Sequence, residues 1–249
     1  MTFSIMGYCE RTGEIGIASA TTSIAVGARL GQRVKAGGRE WMVASQAVAR
    51  PGLGFEAADL LAAGADMNAL EPLLAEKDPG LAYRQLAVIE RGGDSWVFTG
   101  DQASAWKGHV AGPGFVAFGN MLAGAATVEG MDQGFSGGAG EDLAERLVRA
   151  LEGGRDGGGQ ADGDGTHHPE LSAFVRVFDA AADAFVYGGG RSAVLDLRID
   201  YDGHAVDALR HLYERCKPLR EDYELRGRDP QTHIDRASHW EMAAFDEGG

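Results

Sequence analysis

The chain opens on a short apolar run. Thr2 to Tyr8 carries no charge before Glu10 and reads as a strand. Thr12-Gly13 marks a turn, and Glu14 to Ser19 (EIGIAS) reads as the returning arm of a hairpin. Ile24 to Lys35 mixes small and basic residues and fits neither period. Trp41 to Val48 (WMVASQAV) is uncharged, as a strand covered on both faces is. Two helices follow. One spans Phe55 to Ala63 and stops at Gly64; the other spans Met67 to Lys77, with Met67, Leu70, Leu73 and Leu74 at helical spacing before Asp78-Pro79-Gly80 breaks it. Strands return at Gln85 to Ile89 and Ser95 to Thr99, around the turn Arg91-Gly92-Gly93-Asp94, and again at Phe115 to Asn120. Thr127 to Phe135 and Asp142 to Leu151 form a second helix pair. The latter repeats Leu143, Leu147 and Leu151 and carries acids early and arginines late, which suits the helix dipole. Leu171 to Phe178 and Ala193 to Ile199 read as strands, and Ala205 to Cys216 as the last helix. From Lys217 the chain turns polar and reads as irregular.

Hairpins dominate this order and helices come in pairs, so a doubly wound parallel sheet is a poor fit. Two antiparallel sheets stacked face to face, with helices outside, satisfy it, and they explain the nearly continuous apolar strands. The expected fold class is therefore α/β of the α+β kind. The expected organisation is one domain over residues 1–216, a polar tail over 217–249, and a flexible glycine-rich loop over 153–169.

Composition adds limits. A net charge of −14 opposes nucleic acid and anionic membranes as partners. No apolar run is long enough to span a bilayer, and the start reads as no signal peptide, so a cytoplasmic protein is expected. Cys9 and Cys216 lack metal spacing and read as reduced thiols. The segment Asp162-Gly163-Asp164-Gly165-Thr166-His167-His168 matches neither a calcium-loop nor a zinc pattern. No metal and no cofactor is expected.

Candidate chemistry starts at Thr2. Loss of the initiator methionine leaves Thr2 with a free α-amine beside its own hydroxyl. An amine with a pKa near 8 can serve as general base for such a nucleophile. The bland alternative is that Met-Thr is a common start. Arg29, Arg33 and Lys35 form a basic set that either lowers the pKa of a hydroxyl or lies as a solvated edge. Ser19 and Thr21 belong to a hydroxyl-dense stretch suited to a site wall or a tight turn. Trp106, His109 and Asn120 sit near glycine turns and suit a pocket lining.

Several segments together resemble the prokaryotic family known as domain of unknown function 1028. They include Met1-Thr2-Phe3-Ser4-Ile5, Thr12 to Ala18, Val34-Lys35-Ala36-Gly37, Ala44-Ser45-Gln46-Ala47, Phe98-Thr99-Gly100, Trp106-Lys107-Gly108 and Gly119-Asn120-Met121-Leu122. That family is grouped with the N-terminal-nucleophile hydrolases, whose relatives include proteasome β-subunits. The resemblance implies a four-layer αββα sandwich and hydrolysis of an amide or peptide-like bond. It implies Thr2 as nucleophile and Lys35 as its basic partner. Ser19, Thr21, Arg33, Ser45, Gln46 and Asn120 are a candidate site wall, and backbone N–H groups of Ala44 to Ala47 a candidate oxyanion hole. Ser19 or Thr21 falls where proteasome-like relatives hold an aspartate, a departure that favours the alternative of a non-catalytic binding or assembly protein on the same sandwich. The expected partner is a small-molecule or peptide-like substrate, and a homodimer is compatible with helical outer layers.

Overall fold

The structure, a computed structural model, describes residues 1–104, 106–179 and 193–236. Strands β1 (Thr2–Cys9) and β2 (Glu14–Thr21) form the expected first hairpin. Strands β3 (Gln32–Ala36) and β4 (Arg39–Ala47) form a second. Its two-residue turn, Gly37-Gly38, has φ of 58° and 77°, a primed turn that glycine adopts without strain. Helices α1 (Gly52–Ala62) and α2 (Leu70–Ala75) come next, the second preceded by a 3₁₀ turn at Met67–Ala69. Strands β5 (Arg84–Glu90), β6 (Ser95–Thr99), β7 (Trp106–Gly112) and β8 (Phe115–Leu122) follow, then helices α3 (Ala125–Gly137) and α4 (Leu143–Asp156). The short strands β9 (Gln160–Ala161) and β10 (His167–His168) precede β11 (Ser172–Phe178) and β12 (Leu195–Ile199). Helices α5 (Ala205–Cys216), α6 (Arg220–Arg228) and α7 (Pro230–Arg236) close the described chain.

All pairings are antiparallel and build two sheets. The larger runs β10-β9-β8-β1-β2-β11-β12, with β7 also on β8; the smaller runs β3-β4-β5-β6. Period-two alternation divides each strand between two surroundings. In β1, Phe3 and Ile5 meet Met131, Phe135, Leu147 and Leu209 of α3, α4 and α5. Met6, with Ile17 and Phe118, meets Met42, Ala87 and Ile89 of the smaller sheet. On that sheet's far face, Trp41, Val43 and Leu86 pack against Leu53, Leu61 and Leu74 of α1 and α2. Both sheets are thus covered on both faces, which explains their uncharged strands.

Two strands escape the hydrophobic pattern. β3 edges the smaller sheet and is mostly polar, and β7 alternates partly buried with exposed residues beside β8. Edge strands carry charge and glycine because they face water on one side. The polar stretch after Lys217 is not irregular: α6 and α7 are helical there, and 237–249 lies outside the described residues. α4 also continues through Gly153 and Gly154, into the stretch read as loop.

The reason is steric. A Cβ on Gly153 would come within 2.1 Å of Gly130 O, one on Gly134 within 2.3 Å of Arg149 O, and one on Gly157 within 2.2 Å of Ala126 O. These glycines let α3 and α4 approach backbone to backbone. Among the described residues no helix is long and apolar enough to cross a membrane. Gly153→Ala should therefore separate the two helices and lower stability by about 1–3 kcal/mol. Chemical denaturation checks this; an unchanged midpoint would show that the helices can slide apart without loss.

Candidate functional site

One end of the space between the sheets is polar. Across the larger sheet, Thr2 is paired with Thr21 of β2 on one side and Asn120 of β8 on the other. Directly opposed residues share a face, so the three side chains form one row. Ser172 opposite Thr21 and Lys107 opposite Asn120 extend it. The facing row on the smaller sheet is Gln46, Gln85 and Thr99.

Hydrogen bonds join the rows. Ser4 Oγ lies 2.8 Å from Ser19 Oγ and donates to Gln46 Oε1 at 2.7 Å. Gln46 Nε2 donates to Gln85 Oε1 at 2.8 Å, and Asn120 Nδ2 donates to the same oxygen at 3.1 Å. Gln85 Nε2 donates to Thr99 Oγ1 and to Gly119 O, each at 2.9 Å. Ser4, Ser19, Gln46, Gln85 and Asn120 are all buried. Thr2 sits half-buried at the rim, with Oγ1 3.1 Å from Thr21 Oγ1. Thr21 commits its own proton to Met1 O at 2.6 Å, so the Thr2 hydroxyl is the donor in that pair. Burial lowers the pKa of the Met1 α-amine, and the charge of Asp162 partly offsets this.

The backbone is strained at the same end. Ala47, directly after Gln46, has φ 65°, and Met121, directly after Asn120, has φ 52°. Left-handed alanine and methionine cost of order 1–3 kcal/mol each, and such residues gather at functional sites. The Met121 strain coincides with a register shift between β7 and β8. Sequence reasoning missed both positions, along with Gln85 and Ser4. Nothing in an alanine or a methionine signals positive φ, and a glutamine within an apolar strand was the one readable cue.

Of the expected site residues, Ser19, Thr21, Gln46 and Asn120 converge with Thr2. Ser45 does not: it points to the other face of β4 and accepts from Arg50 N at 3.0 Å. Ala44 to Ala47 belong to β4, in the ladder with β5. The assignment of Lys35 as partner to Thr2 requires correction. The β3–β4 turn fixes Lys35 opposite Glu40, with Nζ 3.5 Å from the carboxylate. Gln46, which meets Ser4, lies six residues farther along β4, roughly 20 Å at strand rise. Arg33 lies at the same far end, with Nε 2.7 Å from Glu40 Oε1 and its guanidinium over Phe178. Lys107 is the cation on the Thr2 row, but its Nζ donates to Asp101 O and Ala103 O.

His168 pairs with Asp162 at 2.7 Å, and among the described residues no three metal-ligating side chains converge. Clefts of about 570 and 760 Å³ both open at the end far from Thr2, the first beside Glu40 and the second between Tyr8 and Gly114.

A family model described as a family of unknown function, DUF1028, matches residues 2–209. The chain belongs to the DUF1028 family. It is similar to the solved structure of protein SPO2555 from Silicibacter pomeroyi, ascribed to the same family. The two are 30% identical, over 87% of this chain and 89% of that one, with a TM-score of 0.71. No curated protein matches the chain. The DUF1028 match covers every residue of the polar rows, from Thr2 to Ser172.

Two outcomes follow. Gln85→Met keeps the length and removes every polar atom, stranding the amides of Gln46 and Asn120. It should cost about 1–3 kcal/mol by denaturant titration, and a neutral result would mean water replaces the amide. The second concerns acid. Burial alone would raise the carboxyls of Glu40, Glu145 and Asp196, but Arg91 and Arg33, Arg210, and Arg198 with Arg176 outweigh it and hold all three low. Their folded-state values lie below the unfolded ones, so their stabilisation is present above the ordinary carboxylate range. It is lost as pH falls from that range down through the lowered folded-state values. Denaturation midpoints should drop progressively below about pH 4.5; a flat profile there would show that the pairs contribute nothing net.

Proposed function

We propose that this chain is an N-terminal-nucleophile hydrolase with a four-layer αββα sandwich, acting on an amide or peptide-like bond. The observation that carries this is the position of Thr2. It heads a central strand and faces the gap between two sheets, flanked by Thr21 and Asn120 at the rim of a buried hydroxyl and amide network. Helices covering the outer face of each sheet support the sandwich reading.

In the proposed reaction Met1 is removed first. Thr21 then loses the carbonyl it bonds, and the new Thr2 amine takes up the vacated neighbourhood. Thr2 Oγ1 attacks the carbonyl carbon, its proton passes to the α-amine, and the amine returns a proton to the departing nitrogen. Water then cleaves the ester so formed. Amide N–H groups such as Asn120 Nδ2 would support the developing oxyanion. Lys35 has no part in this scheme.

The test is N-terminal mass spectrometry of untagged protein before and after a hydroxyl-directed covalent inhibitor. Loss of Met1 and one adduct on Thr2, absent from Thr2→Ala and kept in Thr2→Ser, is the expected result. Methionine retained on natively expressed protein sinks the proposal.

A second reading, a binding protein without catalysis, is favoured by one observation. Among the described residues, the network around Thr2 is composed of hydroxyls, amides and backbone carbonyls, with no acid or base side chain bonded into it. Its mark would be an unmodified Thr2 with Met1 in place.

A further inference from the structure

We propose that the amide substrate of Thr2 carries an apolar side chain, branched or aromatic, next to the scissile carbonyl, and that Val48 and Tyr83 hold it at the mouth of the gap between the sheets. This rests on the hydrolase reading above and adds the substrate class to it. The bond from Ser4 to Gln46 sets which residues meet across the gap. Two residues outward from Ser4 is Thr2. Two outward from Gln46 is Val48, and two outward from Gln85 is Tyr83. Val48 N donates to Tyr83 O at 3.3 Å, so these two are neighbours. Stacked sheets lie about 10 Å apart, and a long side chain beside the carbonyl that Thr2 attacks reaches across that distance.

A single exposed apolar residue needs no explanation. These do not fall singly. Among the described residues seven large apolar side chains stand exposed. Three of them, Ile24, Val48 and Tyr83, lie within three residues of Thr21, Gln46 and Gln85 of the polar rows. Val48 is 58% exposed and Tyr83 49%. Nor are the last two on a slack loop. Ala47 turns the chain at φ 65° just before Val48. Arg84 donates to Val48 O and, at 3.1 Å, to Oδ2 of the buried Asp78. A Cβ on Gly100 would lie 2.1 Å from Ala82 O, so glycine is what lets that strand end close on the turn carrying Tyr83. A strained residue, a buried ion pair and a close backbone approach thus hold two apolar side chains in water. Covering them with an apolar group is favourable by the area removed from water.

The charges beside these residues are engaged. Asp78 takes Arg84, and Glu56 takes Arg50 at 2.8 Å. Arg29 turns its guanidinium onto Ile24 O and Ala25 O. Asp101, next to Gly100, is exposed to water. An apolar group can therefore cover Val48 and Tyr83 without breaking an ion pair, whereas a charged one would lose hydration there.

The test uses three peptide epoxyketones that differ only in the side chain beside the ketone: leucine, glutamate or lysine. Untagged full chain is treated with each, and the rate of adduct formation on Thr2 is followed by mass spectrometry. The leucine probe should react about tenfold or more faster than the other two. The lysine arm separates apolar recognition from simple repulsion of an acid by a chain of net charge −14. Val48→Asp and Tyr83→Asp should each lower the preference for leucine over lysine about tenfold. Ile234→Asp, at an exposed position on α7, should leave it unchanged. No adduct with any probe sinks the hydrolase reading and this inference with it. Adducts formed at equal rates, or a preference that neither Val48→Asp nor Tyr83→Asp lowers, overturn this inference alone. Each of those two variants decides if the other does not fold.

Discussion

Gln85 ties the two sheets together, and the geometry at Thr2 depends on that tie. Elsewhere the inner faces meet through Met6, Ile17, Met42, Ile89, Val116 and Phe118. Apolar contact is strong but non-directional, so it does not by itself stop one sheet sliding over the other. Hydrogen bonds do. The Gln85 amide donates to Gly119 O and accepts from Asn120 across the gap, and it accepts from Gln46 within its own sheet. Gln46 reaches back across to Ser4. A buried amide with donors and acceptors so engaged has one place to sit, because any slip leaves polar groups unpaired in an apolar interior. β1 is therefore held at Ser4, two residues from Thr2.

The other face of β1 is held by helices. Phe3 lies against Met131 and the α4 glycines; a Cβ on Gly154 would come within 3.1 Å of the Phe3 ring and 2.8 Å of Met131. The close approach of α3 to α4 thus leaves space for Phe3 beneath them. That space sets the inward side of the strand, and alternation then forces Thr2 and Ser4 toward the second sheet. Glycine that reads as slack in the chain is, at Gly130, Gly134, Gly153 and Gly154, part of what orients the candidate nucleophile.

The legible parts were those where burial and period agree. TFSIMGY and EIGIAS are apolar, short and separated by a glycine turn, and they form β1 and β2. The leucine repeat at 143, 147 and 151 forms the buried side of α4. Edge strands β3 and β7 were not legible, because one exposed side admits lysine, arginine and glycine. Nor was the strain at Ala47 and Met121, which tertiary structure imposes on ordinary residues. Thr2, Ser19, Thr21, Gln46 and Asn120, read from the sequence as one candidate group, do come together in space, whereas Lys35 does not join them. Sequence proximity to a hydroxyl-rich segment says nothing about which end of a hairpin a lysine occupies.

The β3–β4 turn settles that point, with a consequence for any chemistry at Thr2. A two-residue primed turn leaves no freedom of register, so Lys35 must face Glu40, at the turn end of the smaller sheet. Among the described residues, the side chains bonded to Thr2 and Ser4 are hydroxyls and amides. An amine buried there loses hydration without gaining a bonded counter-charge, and the Met1 amine indeed falls below its ordinary value despite Asp162. On the proposed reading, the Thr2 amine inherits that environment one residue farther in. A lowered pKa raises its neutral fraction at pH 7, which is the form a general base requires. On that reading, the turn that takes Lys35 away from Thr2 leaves the α-amine to act as its base.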